Sequence, residues 1–558
     1  MKGPTINRRH FLRSTALAAS AIATGTLNAW TLQTRNAAFA AYDGETPAQE
    51  KLTIHPVPVE ETPATDYMLT VNGLPVFTYQ ARVSAYPMNQ IWPGYQRAME
   101  QTEIASFSSW DMTEPVEVVI MSSRPVRDVL VRPTSAGIKP RVEDGAIRFT
   151  IAKPGQFTVE VNGTHHALHL FANPMEDVAS DPEDPAVRYF GPGVHCPGLI
   201  RLESNQAIYL AGGAVVYGAI LAEKAKNIAI LGRGILDGSK FDRLDGLTAL
   251  VCLYDCDGVR LEGITLRDPG VFTVAPIACR QVRIRNVKMI GGWRYNSDGI
   301  DFINCRHCSV EDSFARTFDD CICLKGYEKF GNFIYKLQLP DGMSSGSENY
   351  TIDGVHGSFA KFERNLGAYT CDGAPINDIQ VRRCVLWNSW GKALEIGIET
   401  VAEEISDILF EDCDIIHVSG IAMDVTSHDR ARCKNILFRN IRVELDDDLT
   451  RPVMQQRKDQ SYEVVPGDTY SPYLINLEVG TGYCTVDSVR GCIEDVRFQD
   501  IEVTSRCTPP SQIHGYDAEH MVQRVTIENL RINDKLICNF AEGNFKHNEY
   551  ASAIFHCP

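Results

Sequence analysis

At 558 residues the chain is too long for one ordinary globular core, and two domains are expected. Apolar residues make up 44% and charged residues 22% of the chain, a composition typical of folded rather than disordered proteins. The formal net charge of −17 argues against nucleic acid or an anionic membrane as a partner, and it weighs against a strongly polyanionic substrate.

The first forty residues have the pattern of an export signal. Arg8 and Arg9 form a twin-arginine motif, a weakly apolar stretch follows over residues 14–29, and Ala38-Phe39-Ala40 offers a small-residue cleavage site. That stretch is too short and too rich in Ala, Ser and Thr for a stable membrane span. We therefore predict a twin-arginine signal peptide over 1–40, passage through the twin-arginine translocase, a periplasmic or extracellular location and no membrane span. The alternative is a chance arginine pair before an apolar stretch.

Residues 41–178 differ in pattern from everything that follows. Short segments such as Val116–Ile120 and Phe157–Val161 alternate apolar and polar residues, and turn signals such as Lys153-Pro154-Gly155 separate them. Alternation with a period of two over short segments is typical of half-buried strands. The pattern predicts a small antiparallel β-sandwich over 41–178.

Residues 179–558 repeat one short strand-like segment. Early copies begin at Asn227, Gly258, Gln281 and His307, with spacings of 31, 23 and 26 residues, and each copy ends in alternating apolar residues. A repeat of this length built on one strand indicates a solenoid, in which each coil buries its face only by stacking on the next. The second domain is therefore predicted to be a solenoid of parallel β-coils.

The 17 cysteines are spread along the chain, and several recur at equivalent positions of the repeat, namely Cys256, Cys279, Cys305, Cys413 and Cys433. This recurrence favours cysteine as a small buried apolar residue rather than a disulfide framework. The close pairs at 305/308 and 321/323 have no further His or Cys at zinc-finger spacing, so we predict neither a metal ion nor any other cofactor.

Three aspartates lie one coil apart in this solenoid. Asp298 stands in the segment Asn296–Gly299, and Asp319 follows 21 residues later with Asp320 beside it. Residues one coil apart sit roughly 4.8 Å from each other in parallel strands. Paired carboxylates suit glycosidic bond cleavage, because crowding keeps one of them protonated as a general acid. The alternative is that they are turn residues at coil bends.

The residues that carry a family resemblance fall between 227 and 326. They are Asn227, Ile228, Ile230, Gly232, Gly234, Asp237 and Gly238, then Leu261 and Gly263–Leu266, then Asn296–Gly299 and Asp319–Ile322. This region resembles the polygalacturonase family of glycoside hydrolases and its dextranase and isopullulanase relatives. The resemblance implies a right-handed parallel β-helix and hydrolysis with inversion. It further implies that Asp319 is the general acid and that Asp298 and Asp320 activate water, although a one-coil offset alone predicts a spacing nearer to that of retaining enzymes.

Two departures from the pectinase pattern bear on the substrate. The family's Gly-His-Gly is replaced by Gly391-Lys392-Ala393, and the Arg-Ile-Lys that grips a uronate carboxylate falls near Met423-Asp424-Val425. An acidic residue in place of a cationic clamp disfavours polygalacturonate. The leading sandwich also looks more like the dextranase side of the group. We therefore predict a neutral or weakly charged polysaccharide or oligosaccharide as substrate.

Further residues around the triad are predicted to contact sugar, namely Asn296, Lys392, Glu395, Glu399 and His428. The alternative for each is an ordinary surface or turn residue. Whether Lys392 takes over the function of the family histidine or only its place stays open.

The sequence also predicts which segments form the walls of a substrate-binding cleft. Long insertions in a solenoid usually emerge on the binding side, and the first candidate wall is the insertion over 326–377, with a second excursion over 446–488. Trp293 and Trp390 could stack on sugar rings or pack in the interior.

Other functions remain open beside the predicted hydrolase. One is a polygalacturonase or pectin-type hydrolase. Another is a polysaccharide lyase on the same fold, which would need a cationic base and often calcium. The last is a glycan-binding solenoid without catalysis, which would have no reason to keep three stacked aspartates.

Overall fold

A computed structural model describes residues 51–557, apart from 86–101, 178–180, 241–248, 295, 331–368, 446–452, 455–462, 465–471 and 483. The predicted signal peptide over 1–40 lies outside this part of the chain. Regular structure in the described residues is β-strand, with one 3₁₀ turn at Thr134–Ala136, so the all-β prediction is confirmed. No helix in these residues is long and apolar enough to cross a membrane.

The N-terminal strands form the predicted sandwich. The strands described there are β1 (Leu52–Ile54), β2 (Tyr67–Val71), β3 (Leu74–Val76), β4 (Tyr79–Ser84), β5 (Thr102–Met112), β6 (Val116–Ser122), β7 (Val129–Arg132), β8 (Arg141–Glu143), β9 (Ala146–Ile151), β10 (Gly155–Val161) and β11 (Leu168–Asn173). One sheet has the order β1-β5-β11-β10-β7 with β4 also on β5, and the other has the order β3-β2-β6-β9-β8. All pairs are antiparallel except β5–β11, and residues of both sheets share one apolar core.

The remaining strands form a right-handed parallel β-helix, as predicted, together with two short antiparallel ribbons. They are β12 (Val187–Phe190), β13 (Gly193–Arg201), β14 (Ala207–Leu210), β15 (Ala214–Glu223), β16 (Lys226–Gly232), β17 (Ile235–Asp237), β18 (Ala249–Tyr254), β19 (Asp257–Glu262), β20 (Thr265–Arg267), β21 (Phe272–Ile277), β22 (Arg280–Arg285), β23 (Lys288–Ile290), β24 (Ile300–Ile303), β25 (Arg306–Glu311), β26 (Phe314–Thr317), β27 (Ile322–Gly326), β28 (Lys329–Phe330), β29 (Tyr369–Thr370), β30 (Ile376–Arg382), β31 (Val385–Asn388), β32 (Lys392–Thr400), β33 (Glu404–Glu411), β34 (Asp414–His417), β35 (Ile421–Ser427), β36 (Arg432–Glu444), β37 (Val453–Met454), β38 (Glu463–Val464), β39 (Tyr473–Val479), β40 (Cys492–Thr504), β41 (Ser511–His514), β42 (Val522–Ile532), β43 (Lys535–Leu536), β44 (Phe545–His547) and β45 (Ala551–His556).

Each middle coil contributes three strands, and each strand pairs in parallel with its counterpart in the next coil. In the central part, β19 pairs with β22, β20 with β23, and β21 with β24. The predicted repeat segments at 227, 258, 281 and 307 fall in β16, β19, β22 and β25, which pair in this order. The β28–β29 and β37–β38 pairs are antiparallel ribbons that fall within the two predicted insertions.

A left-handed backbone turn recurs at the start of the repeat. Asn227 has φ 55°, Gln281 φ 53°, His307 φ 58° and Asn435 φ 53°, while Gly258 has φ 78° at the equivalent position. Asn and Asp tolerate this conformation better than most residues, and Gly adopts it without strain. Four of these five bends therefore carry Asn, His or Gly, with Gln281 as the exception, and the apolar residues that fill the core follow each bend.

The recurring cysteines lie in the core of the β-helix, as predicted. Cys279, Cys305, Cys413 and Cys433 have no exposed surface, and Cys256 is 1% exposed. The structure adds one disulfide that the sequence did not predict, between Cys538 and Cys557 in the last coils.

The sandwich is fixed to the β-helix by buried polar contacts as well as by an apolar cluster. Phe107 and Phe171 of the sandwich pack with Phe314 of the β-helix. Arg233 donates to Asp111 at 2.9 Å. Lys288, with no exposed surface, donates to Asn173 Oδ1 at 2.7 Å and also to two backbone oxygens of the β-helix. Polar groups buried in this way must keep their partners, so the two domains are expected to unfold together.

The Lys288 contact can be tested by substitution. We expect Lys288→Met to lower the free energy of unfolding by about 3 kcal/mol, because three buried acceptors lose their donor. Urea unfolding followed by circular dichroism measures the change. Lys139→Met, at an exposed position of the sandwich, is the control and should change stability by less than about 0.5 kcal/mol. A Lys288→Met protein as stable as the control would contradict this role.

Candidate active site

The three predicted aspartates lie on adjacent coils, where the second strand of each coil gives way to the third. Asp298 precedes β24, whereas Asp319 and Asp320 precede β27, and β24 and β27 pair from Ile300 and Ile322 onward. The backbone closes the gap between the two bends, since Gly299 N donates to Asp320 O at 2.8 Å. The structure therefore confirms the prediction that these aspartates stack on adjacent coils.

Gly391 lets the two adjacent carboxyl groups converge. A Cβ atom on Gly391 would lie 2.4 Å from Asp319 Oδ1 and 2.4 Å from Asp320 Oδ1. No Cβ atom can approach so closely, so only glycine fits between the two carboxyl groups and the next coil. The backbone N–H of Lys392 then donates to Asp320 Oδ1 at 3.0 Å.

A buried lysine lies at the centre of the aspartates. Lys325 Nζ is 2.9 Å from Asp298 Oδ2, 2.8 Å from Asp301 Oδ1 and 3.4 Å from Asp320 Oδ2. One ammonium thus faces three carboxyl groups, which cannot all be ionised in a buried site. Burial alone would lower the pKa of Lys325, but the opposite charges around it outweigh burial and raise the pKa well above its usual value, which favours the charged form.

The same place offers oxygen and sulfur atoms at metal-ligand spacing. One atom each from Asp298, Asp320 and Cys323 lies within 4.8 Å of the others. Burial raises the pKa of Cys323 well above its usual value, so its sulfur stays a thiol, and it donates to Asp301 at 2.8 Å. The Lys325 ammonium already supplies a positive charge among these atoms.

The aspartates of the triad have different electrostatic environments. Burial raises the pKa of Asp298 well above its usual value, and burial together with the Asp320 charge does the same for Asp319. Burial also opposes ionisation of Asp320, but the charges of Lys325 and Lys392 and the hydrogen bonds to this carboxylate outweigh it and hold its pKa below the usual range. The surroundings therefore favour ionisation of Asp320 over that of Asp298 and Asp319.

Lys392 and Glu395 extend the site into the next coil. Lys392 Nζ donates to Glu395 Oε1 and lies 3.5 Å from Asp424 Oδ2. Asp424 in turn accepts from Asn476 at 2.8 Å and from Thr426 at 2.8 Å. The Lys392 side chain is 20% exposed, whereas Glu395 and Asp424 have no exposed surface. The acidic residue at the expected clamp position is therefore held inside the protein.

The other predicted contacts are more dispersed. Asn296 Nδ2 donates to Asp319 Oδ2 at 3.5 Å, so it belongs to the site. Glu399 is 7% exposed near the end of β32, and His428 follows β35 with Nε2 3.7 Å from Glu478 Oε1. The structure thus brings Asn296, Lys392 and Glu395 to the triad, whereas Glu399 and His428 lie at the ends of β32 and β35. Their roles as sugar contacts stay predictions.

The two tryptophans have different environments. Trp293 has no exposed surface and donates from Nε1 to Asp268 Oδ1 at 3.0 Å, so it packs in the interior. Trp390 is half-buried, with its ring 5.4 Å from that of Phe318, and it stays a candidate for stacking on sugar. Of the predicted cleft wall, residues 331–368 lie outside the described part of the chain.

Lys325 and Asp301 are site residues that the sequence reading missed. Both carry charge within apolar strands, Ile300-Asp301-Phe302-Ile303 and Ile322-Cys323-Leu324-Lys325. A charged residue in a run otherwise buried in a core is a signal for a buried ion pair. The two strands pair directly, which is why the two side chains meet.

Comparison with known proteins gives matches in sequence and in structure. Residues 219–356 match the model of glycosyl hydrolases family 28. The structure is similar to Dex49A from Penicillium minioluteum, at 15% sequence identity and a TM-score of 0.53, over 89% of this chain and 96% of that one. A family 28 exopolygalacturonase from Yersinia enterocolitica aligns at 14% identity and a TM-score of 0.44, over 84% of this chain and 96% of that one. The search of curated proteins found no match.

The family match confirms the predicted resemblance and the predicted class of enzyme. The similarity to Dex49A over 89% of this chain agrees with the predicted fold, which the strand order shows directly. The matched segment contains Asp298, Asp319 and Asp320, the three aspartates that lie together on adjacent coils.

Proposed function

We propose that this glycoside hydrolase, whose residues 219–356 match family 28, cleaves a glycosidic bond in a neutral or weakly charged polysaccharide or oligosaccharide by acid–base catalysis with inversion. One observation carries the proposal. Asp319 and Asp320 converge beside Gly391, yet the surroundings favour a proton on Asp319 and a charge on Asp320. An acid and a base side by side are the two groups that glycoside hydrolysis requires.

In the proposed reaction, Asp319 donates its proton to the glycosidic oxygen as the bond to the anomeric carbon breaks. Asp320 takes a proton from the water that attacks that carbon, and the other hydrogen stays on the new hydroxyl group. Asp298 helps to orient the water, and Lys325 keeps the negative charge of the base in place. One bond is broken and one water is consumed.

The charges of the site support a neutral or weakly charged substrate. Lys325 is enclosed by Asp298, Asp301 and Asp320, Lys392 is held by its hydrogen bond to Glu395, and the position expected for a cationic clamp holds the buried Asp424. A uronate carboxylate would need a cation that is free to pair with it. Polygalacturonate is therefore the less favoured substrate.

Retention is the second candidate stereochemistry, and one observation favours it. Asp319 Oδ1 and Asp320 Oδ1 both lie 2.4 Å from one point beside Gly391, so they are closer than the roughly 6.5–9.5 Å typical of inverting pairs. Inversion is supported by the family resemblance of the same residues. Proton NMR of the first product formed decides between them, since inversion and retention give opposite anomers.

The function is tested by release of reducing sugar from dextran, pullulan, arabinan, galactan and polygalacturonate. We expect release from at least one neutral polymer and little from polygalacturonate. Strong activity on polygalacturonate would overturn the proposed substrate class. Product that absorbs in the ultraviolet would indicate an unsaturated sugar and therefore a lyase, and binding without any release would indicate a solenoid that only binds glycan.

We also propose that the protein is exported by the twin-arginine pathway to the periplasm or the extracellular space. The motif at Arg8 and Arg9 supports this. That pathway carries proteins that have already folded, which suits a β-helix with buried thiols in its core.

A further inference from the structure

Glu395 lies behind the catalytic aspartates rather than beside the solvent. In β32 it pairs with Cys323 of β27 on one side and with Asp424 of β35 on the other. The Cys323 neighbour in turn pairs with Asp301 of β24, so a row of polar side chains runs across these strands. Glu395 has no exposed surface, which places it in a supporting position.

The two oxygens of Glu395 have different surroundings. Oε1 is paired with the Lys392 ammonium. Oε2 is buried and receives no hydrogen bond from any donor in the described residues. An oxygen of Asp320 lies within 4.8 Å of Cys323 Sγ, and Glu395 is the residue that pairs with Cys323 on the next strand. The carboxyl groups of Asp320 and Glu395 are therefore neighbours, and they interact through a side-chain hydrogen bond. Two carboxyl groups can share a hydrogen bond only if one of them carries a proton.

The position of that proton follows from the other donors. The ionisable groups that face Glu395 from the neighbouring elements are Asp320, Cys323, Lys325, Lys392 and Asp424. Asp320 accepts from the Lys392 backbone at 3.0 Å and lies 3.4 Å from Lys325 Nζ, so its negative charge is already stabilised. Burial and the Asp320 charge both raise the pKa of Glu395 well above its usual value. The proton therefore belongs on Glu395.

We propose that Glu395 is a positioning residue that acts as a neutral carboxylic acid, donating a hydrogen bond to Asp320 and so holding Asp320 as the ionised base. This inference rests on the proposed function, because it assigns Glu395 a part in the same reaction. Asp320 then has three donors, namely the Lys325 ammonium, the Lys392 backbone N–H and the Glu395 hydroxyl. Glu395 itself neither touches the substrate nor gives up its proton.

Replacing Glu395 by its neutral isostere is the sharpest test. The amide of Glu395→Gln can donate to Asp320 and still accept from Lys392, so we expect kcat within about threefold of the wild type and an unchanged pH profile. Glu395→Leu removes the donor, so we expect kcat to fall by about 100-fold, the loss typical of a misplaced catalytic group. The acidic limb of its kcat/KM profile should also move to higher pH, because Asp320 then ionises less readily.

A second readout does not depend on activity. An unfolded glutamate ionises near pH 4.3, whereas native Glu395 stays protonated above that value. Above about pH 4.3 the native state therefore binds more protons than the unfolded state, and this contribution to stability falls as pH rises. Glu395→Gln lacks the effect. We expect the melting temperature of Glu395→Gln, relative to that of the wild type, to rise steadily between pH 4.5 and pH 7.5.

The outcomes separate the inference from the proposed function. A wild-type protein inactive on every glycan would overturn the function, while the melting temperatures would still decide the state of Glu395. A difference in melting temperature that stays flat or shrinks as pH rises would show an ionised Glu395 and overturn the inference. A loss of activity in Glu395→Gln as large as that in Glu395→Leu would also overturn the inference. If Glu395→Leu does not fold, the comparison of Glu395→Gln with the wild type still tests it.

Discussion

Asp319→Asn should lower kcat by about 10²- to 10⁴-fold, the usual contribution of a general acid. Asparagine keeps the shape of the protonated carboxyl group and can still accept from Asn296, but it has no proton to give to the leaving oxygen. Because burial already favours the neutral form of Asp319, the neutral amide should leave the unfolding midpoint unchanged. Initial rates on the best glycan substrate, with urea unfolding beside them, measure both quantities.

The matched control is Asp378→Asn, at a surface position where the side chain is 51% exposed and pairs with His307. It makes the same chemical change far from the bend that holds the triad, so activity should stay within about twofold. Turnover by Asp319→Asn near that of this control would remove Asp319 from the role of general acid.

Gly391→Ala should be nearly as damaging as loss of the acid, although it removes no functional group. The new Cβ would lie 2.4 Å from the near oxygens of both Asp319 and Asp320 and 2.5 Å from Asp320 N. Both carboxyl groups must then shift by a substantial fraction of an ångström, and misplacement on that scale costs about 100-fold in rate. We expect this loss in kcat, measured on the same substrate.

Gly191→Ala is the control for this substitution. Its Cβ would meet only a Tyr189 ring atom, at 3.5 Å, an ordinary contact distance. Neither glycine has the positive φ that would strain alanine, so the two variants differ in the space available rather than in backbone conformation. Equal activity of the two variants would mean that the convergence of the carboxyl groups beside Gly391 does not matter for catalysis.

The coils could be predicted because their local chemistry repeats. Asn227, Gln281 and His307 begin segments whose left-handed bend favours a limited set of residues, and the apolar alternation after each bend is visible in a single copy. The stacking of Asp298 on the acidic pair followed from the same spacing, since 21 residues is close to the 22-residue coil by which Ile300 pairs with Ile322. These features are local, so the sequence carries them directly.

Contacts that depend on register over long insertions were not predictable in this way. Lys392 meets Asp320 across 72 residues, because β32 pairs with β27 after the long insertion. Lys325 faces three aspartates, but the sequence did not predict this contact. The spacing of the coils gives the order of the strands, whereas it does not give the direction in which a side chain points from its strand. The Lys288–Asn173 contact between the domains, 115 residues apart, has no sequence signal.

The most direct measurement of the central claim is the mass of the oligosaccharides that the protein releases from a neutral glycan. Hydrolysis at the Asp319–Asp320 site adds one water for each bond cut, and we predict products of that mass from the wild type and almost none from Asp319→Asn. Products that lack the added water would show elimination. Products of the predicted mass that Asp319→Asn forms equally fast would show that hydrolysis occurs elsewhere, and either result would contradict the assignment of this site.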